Sequence, residues 1–256
     1  MKYIFKNNLE KKINDNFLKK GFLIFDIKRK KNLDYLKKKT KLELKKIIKN
    51  KIKLENIHKF VSSKDLNNQK MKIYNNLNSD KKFIYNYFMT AQNELENICG
   101  NELAMQRKVS LSIQMPNDDS SLLPMHSDVW SGCSPFEVVL WIPLVDCKKT
   151  NSIFFLPQKK SMLIQKKFKN LKDLDQIESK YKKDIKFLDI KYGQGLIFSH
   201  QLLHGNVINK ESTSRWSFNC RFKSVFSPYH EKTIGETFAP IYLRPASQFG
   251  LKFDDN

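Results

Sequence analysis

The stretch Arg215-Trp-Ser-Phe-Asn-Cys-Arg-Phe222 alternates polar and apolar side chains without a break. Period two marks a β-strand with one wet face and one dry face. Trp216, Phe218, Cys220 and Phe222 fall on one side; Arg215, Ser217, Asn219 and Arg221 fall on the other. Val109 to Met115 repeats the pattern, with Ser110, Ser112 and Gln114 on its polar face. Phe136 to Leu144 is a continuous apolar strand, and Ile153–Leu156, Ile185–Ile190 and Leu196–Ser199 are shorter ones. All eight prolines and six of the eight glycines lie beyond residue 104, so turns separate these runs. Short strands at this spacing predict a double-sheet jelly roll or barrel over 105–256, interrupted by a charged helical insertion near 161–184.

Residues 1–104 have a different texture. They contain no proline, and Gly21 and Gly100 are their only glycines. Apolar residues recur at three- and four-residue spacing, as in Leu33, Leu36, Leu42, Leu44, Ile47 and Ile48, then Phe83, Ile84, Tyr87 and Phe88, which predicts amphipathic helices. GFLIFDI (21–27) reads as a buried strand behind a glycine. The expected class is therefore α+β. A double-stranded β-helix (jelly roll) core spans 105–256, and an N-terminal helical layer over 1–104 packs outside it, the two forming one domain.

Composition narrows the function classes. With 256 residues and 40% hydrophobic content, the chain can bury a core without disulfide or metal staples. Its longest apolar run, Val138 to Val145, is far short of the roughly 20 residues that span a bilayer. The start, MKYIFKNNLEKK, has no apolar stretch of the secretory kind. Cys99, Cys133, Cys147 and Cys220 form no CxxC pair, and free thiols in a cytoplasmic protein are expected. The net charge of +21 is concentrated in residues 1–60, which hold 20 Lys/Arg against 6 Asp/Glu. Lysine outnumbers arginine 42 to 5, a skew that AT-rich codons produce. Nucleic-acid readers lean on arginine and stacked aromatics, so a nucleic-acid partner is not expected.

Only five histidines are present. His126-Ser127-Asp128 sets an imidazole and a carboxylate at i and i+2, on one face if the backbone is extended. His204 follows a later strand and could complete a set of two His and one carboxylate, which leaves three positions of a six-coordinate ion open. Structural histidines and a chance H-x-D are the competing account. Arg215, eleven residues beyond His204, is one of five arginines and heads the polar face of its strand. A guanidinium there suits the far carboxylate of a dicarboxylate cosubstrate, because its planar fork matches that group as an ammonium does not. Gln114 and Ser112 are further candidates to contact an oxo acid, Trp130 and Trp141 to line a pocket, and Asn219 and Arg221 to reach substrate. Asp118 and Asp119 read as an exposed loop pair.

The motifs PMHSDVW (124–130), FEVVLWIPLVD (136–146), NSIFFLPQKKS (151–161), GQGLIFSHQLLHGN (193–206) and SRWSFNCRFK (214–223) resemble those of the phytanoyl-CoA dioxygenase-like Fe(II)/2-oxoglutarate oxygenases. They look closest to the sporadic carbohydrate-cluster branch. The likeness covers about 100 residues well and the first hundred in outline, with Lys-Lys-Ser at 159–161 where the family often has Gly-Ser-His. It implies that His126, Asp128 and His204 hold Fe(2+) as the catalytic metal ligands, and that Arg215, with Gln114 nearby, binds the 2-oxoglutarate cosubstrate. His200 would be structural or support the site. Retention of Asp128 implies hydroxylation, since relatives that halogenate lack this carboxylate. The expected partners are O2 and a small polar substrate such as a phosphorylated, nucleotide-linked or lipid-linked sugar of carbohydrate biosynthesis. The rival readings are a cupin-like metal isomerase or epimerase, which needs no guanidinium at 215, and a non-catalytic carbohydrate- or nucleic-acid-binding jelly roll.

Overall fold

Over residues 7–48, 52–167 and 174–252, which the computed structural model describes, the chain begins with α1 (Asn8–Lys20), β1 (Phe22–Asp26), α2 (Lys30–Ile47), α3 (Ser63–Asn78), α4 (Lys81–Met89) and α5 (Gln92–Cys99). It continues with β2 (Leu103–Gln106), β3 (Ser110–Gln114), β4 (Val138–Pro143), β5 (Phe154–Phe155), α6 (Gln158–Lys167) and α7 (Leu174–Tyr181). It ends with β6 (Lys186–Phe187), β7 (Gln194–Ser199), β8 (His204–Gly205), β9 (Arg215–Ser224), β10 (Phe238–Tyr242) and α8 (Pro245–Leu251). Parts of the lysine-rich start (1–6, 49–51) and of the expected insertion (168–173) lie outside the described residues.

Local chemistry sets the helix ends. Asn7 accepts from the Glu10 amide while the Glu10 side chain accepts from the Asn7 amide, a capping box that starts α1. Gly21 closes α1 at φ 75°, a left-handed conformation that glycine adopts without strain. Ser62 accepts from the Asp65 amide and Asp80 from the Lys82 and Phe83 amides, N-caps that start α3 and α4.

The strands form two sheets with antiparallel pairing throughout. The larger has seven strands in the order β1-β7-β4-β9-β2-β10, with β3 also paired to β9; the smaller runs β6-β5-β8. β4 occupies one side of the long β9, and β3 and β2 share its other side. The dry face of β9 meets the helices. Phe83 sits edge-on to Phe218 at 5.2 Å, Tyr87 stacks on Phe222 at 6.5 Å, and the Tyr87 hydroxyl donates to the Leu140 carbonyl at 2.6 Å. Each such buried side chain contributes about 1.5–3 kcal/mol. One apolar core joins Leu33, Leu36 and Phe83 of the helices to Leu140, Leu196 and Trp216 of the sheet. This packing fixes β4 and β9 from behind and leaves their opposite faces toward the smaller sheet.

Three expectations need correction. The boundary at 104/105 falls inside β2, whose four residues are too short to show alternation. GFLIFDI forms β1, but as a half-buried edge strand, since it pairs with β7 alone among the described strands and its Phe22 stacks on Phe155 across the sheets at 5.3 Å. β10 had no sequence signal, because Pro240 interrupts it; proline is tolerated there on the sheet edge. The four cysteines are free thiols. Among the described residues no helix is long and apolar enough to cross a membrane.

Candidate metal centre

His126 and His204 lie 78 residues apart in sequence and are joined as a two-residue antiparallel bridge outside the named pairings. Each backbone amide donates to the other's carbonyl at 2.9 Å, and the two rings stand 4.4 Å apart. Ser127 continues extended at φ −123°, ψ 133°, so Asp128, which heads a short 3-10 turn ended by Gly132 at φ 76°, returns to the side of His126. One ligating atom from each of His126, Asp128 and His204 lies within 4.8 Å of the others.

Hydrogen bonding sets the ring states. His126 Nδ1 faces the Pro124 carbonyl at 2.7 Å and His204 Nδ1 faces the Leu202 carbonyl at 2.9 Å. A carbonyl only accepts, so both Nδ1 atoms carry the proton and both Nε2 lone pairs are free. Burial lowers His204 to about 4, with Asp128 acting against it, so that ring stays neutral. Burial opposes the Asp128 charge, but the imidazoles of His204 and His200 and the Arg221 guanidinium outweigh it, and the carboxyl stands below the usual range. Arg221 Nη2 donates to Asp128 Oδ1 at 3.0 Å, while Oδ2 stands 3.8 Å from His204 Nε2. One oxygen is therefore engaged and the other faces His204 and His200, and the two imidazoles of His126 and His204 with one carboxylate are a donor set that fits a divalent ion.

These residues line a cavity of about 470 Å³ between the two sheets, together with Ser112, Trp141, Phe198, Asn206, Arg215 and Asn219. Arg215 is 4% exposed and forms no ion pair among the described residues; its Nη2 donates to Ser112 Oγ at 3.3 Å, and its Nε has no partner. A buried, unpaired guanidinium is costly, so an anion is the missing element of this cavity. The donor set and the unpaired cation together fit a divalent metal and an anionic organic ligand.

The remaining expectations divide. Asn219, Arg221 and Trp141 line the cavity. Trp130 packs in a smaller apolar cluster and donates to Gln165 Oε1 at 2.7 Å, away from the wall. Gln114 lies opposite Arg215 in the β3–β9 register, buried; its Nε2 donates to the Val207 carbonyl and its Oε1 has no partner, while Ser112 reaches the cavity from the same strand face. Asp118 is buried rather than exposed, because it accepts from the Ser120 amide and hydroxyl. Two anchors escaped the sequence reading. Asn206 takes the Leu123 amide at 2.6 Å and donates to the Ser121 carbonyl, tying the loop before His126 to β8. Gln165 donates to Ser127 Oγ and to the Gln201 carbonyl, tying the His126–Asp128 turn to α6. Their only signal was position, Asn206 following His204-Gly205 directly.

No protein-family profile matches the chain, and no curated protein matches it in sequence. Solved structures do. The non-heme monooxygenase ThoJ in its nickel complex matches over 91% of this chain and 84% of its own, at TM-score 0.54 and 16% identity. The non-heme alpha-ketoglutarate-dependent epimerase SnoN of nogalamycin biosynthesis matches over 89% and 87%, at TM-score 0.52 and 12% identity. HygX from Streptomyces hygroscopicus, solved with nickel and 2-oxoglutarate bound, matches over 85% and 88%, at TM-score 0.53 and 10% identity. What this likeness shows is the fold: the chain has the frame on which these three proteins are built.

Proposed function

We propose that this protein is an Fe(II)- and 2-oxoglutarate-dependent oxygenase with a double-stranded β-helix core. The observation that carries the reading is Arg215, a buried guanidinium without a counter-ion among the described residues, facing the same cavity as His126, Asp128 and His204. His126 Nε2, Asp128 Oδ2 and His204 Nε2 would hold the iron. Arg215 and Ser112 would fix the far carboxylate of the oxo acid, with Gln114 beside Arg215 supporting it. The structures of HygX and SnoN, which carry or depend on this oxo acid, support the assignment.

Each residue then has a defined task. Arg221 holds Asp128 Oδ1, so the carboxylate offers a single oxygen and leaves positions on the metal open. The two Nδ1–H bonds hold both imidazoles in the ligating tautomer. Val139, Trp141, Ile153 and Phe198 form an apolar wall against which a seated substrate would displace water from the reacting centre. When bound, the iron and oxo acid supply the oxidising chemistry, in which O2 and 2-oxoglutarate give succinate, CO2 and one oxygen atom delivered to a substrate C–H bond. Asn219 and Ser131 are polar points on the wall for substrate hydroxyls. A small polar metabolite, a sugar or a nucleotide- or lipid-linked sugar, is the substrate class we assign. The alternative, oxidative epimerisation, uses the same groups, and SnoN is an epimerase on this fold.

Anaerobic addition of Fe(II) and 2-oxoglutarate tests the reading. The expected result is the weak visible charge-transfer band of the chelate, lost in Arg215→Ala with iron still bound. Folded protein carrying one iron and giving no band refutes the cosubstrate assignment. Product mass then separates hydroxylation, which adds an oxygen atom, from epimerisation, which adds none.

A further inference from the structure

Asp128 Oδ2 faces a second imidazole that the metal reading does not use. His200 Nε2 stands 3.8 Å from it, the same separation as His204 Nε2. On the other edge of the ring, His200 Nδ1 stands 3.3 Å from Glu137 Oε2. His200 and Glu137 are 0% and 1% exposed, and both ring nitrogens and Glu137 Oε2 have no hydrogen-bond partner among the described residues. The backbone of His200 is held from both sides: its amide donates to the Glu137 carbonyl at 3.3 Å, and its carbonyl accepts from Ser127 Oγ at 2.7 Å. Ser127 sits between the two ligands His126 and Asp128. The imidazole is thus fixed by the segment that carries Asp128 and by the start of the strand that lines the cavity.

We propose that His200, braced by Glu137, is a positioning residue for Asp128, holding Oδ2 in its ligating orientation while Arg221 holds Oδ1. The inference rests on the metal site proposed above. Its chemistry is that of a neutral imidazole with one N–H: Nε2–H, 3.8 Å from Asp128 Oδ2, would close on that oxygen when the ligand set draws in on an ion, while Nδ1 would accept from the Glu137 carboxyl, whose protonated form burial favours. Ligating carboxylates need such outer partners, and losing one costs metal affinity about 10- to 100-fold.

The same neighbourhood contains Cys133, whose Sγ lies with Glu137 and His200 within 4.8 Å. A second metal there is disfavoured. Lys232 Nζ lies 2.8 Å from Cys133 Sγ, and Lys223, Arg221 and Lys232 all act on Glu137 as nearby positive charges. A cation would enter a pocket already crowded with cations, whereas a neutral imidazole would not.

Two substitutions at one position separate positioning from packing. Glutamine places its amide N–H near the position of Nε2, toward Asp128; asparagine, one carbon shorter, reaches only the Nδ1 side, toward Glu137. Ni(II) binding to the full chain is measured by calorimetry, together with the visible spectrum of the Co(II) form and the melting temperature without metal. The expected result is that His200→Asn weakens Ni(II) binding about 10- to 100-fold and changes the Co(II) spectrum. His200→Gln keeps affinity within a few-fold of wild type, with both variants melting alike without metal. Glu137→Gln falls between them. Equal affinity in His200→Asn and wild type, or equal losses in both His200 variants, overturns the proposal while leaving the metal site standing. Two metal equivalents in wild type, falling to one in Cys133→Ser, overturn it in favour of a second metal site. Wild-type protein that takes up no Ni(II) or Co(II) overturns the metal site and this inference together.

Discussion

Replacing Arg215 by methionine should leave the ligand-free protein as stable as wild type or more stable, while removing its affinity for the oxo acid. Arg215 is 4% exposed, is in no ion pair among the described residues, and its hydrogen bond to Ser112 is long at 3.3 Å. Replacing a buried ionic group by an apolar one of similar volume is neutral or stabilising by about 1–4 kcal/mol. The guanidinium borders a cavity that water can enter, so the lower end applies. A gain near 1 kcal/mol raises the melting temperature of a chain this long by about 2–4 °C. Truncating one partner of a buried charge pair costs about 2–5 kcal/mol of binding, which is about 30- to 4,000-fold in Kd at 1.4 kcal/mol per factor of ten. Thermal melts of metal-free protein and 2-oxoglutarate titration of the Ni(II)-loaded form measure both quantities. A variant that melts more than about 5 °C lower, yet binds the oxo acid within twofold of wild type, would show a structural arginine and refute the reasoning.

Two more outcomes follow from the geometry. A Cβ on Gly205 would sit 2.7 Å from the Leu123 carbonyl oxygen and 2.8 Å from the Phe154 ring. Gly205→Ala should therefore cost about 1–3 kcal/mol and push the loop carrying His126 off β8, seen as weaker Ni(II) binding; unchanged affinity would show that the loop yields. Burial lowers His204 to about 4 and His200 to about 3, both with Asp128 acting against the shift. An unfolded histidine titrates near 6.5, so between that pH and 4 the unfolded chain binds protons that the folded one refuses. Stability without metal should fall as pH drops through this window, by up to about 1.4 kcal/mol per pH unit for each histidine. Burial raises Glu137, which acts with the opposite sign and subtracts from the slope. Denaturant midpoints from pH 7.5 to 4.5 measure it, and a flat profile would mean that these rings titrate in the fold as they do in the unfolded chain.

Much of the frame was legible because its signals are local. The alternation of Arg215 to Phe222 placed Arg215, Ser217, Asn219 and Arg221 on one face and Trp216, Phe218, Cys220 and Phe222 on the other; the structure lines the cavity with Arg215, Asn219 and Arg221, buries Ser217 away from it, and buries the second set. The helical periodicity of Leu33, Leu36 and Leu44 likewise gave the buried stripe of α2, whereas Leu42, grouped with them in the sequence, is exposed. Boundaries and short strands were harder. β8 has two residues and takes its strand character from β5, not from its own side chains. Asp118 looked like a loop acid and is buried, because its partner Ser120 folds back on it.

Residue types and strand parity determined which side chains face together, since a two-residue period is a property of the backbone alone. They did not determine which strands meet. The bridge between His126 and His204, the ion pair of Arg221 with Asp128, and the place of His200 between Asp128 and Glu137 all join segments more than 60 residues apart. Sheet register and the helices packed behind β4 and β9 set those distances. A change of one residue in register would turn the polar face of β9 into the core. The chain thus carried the list of candidate ligands, and the packing of its two sheets decided that they share one cavity.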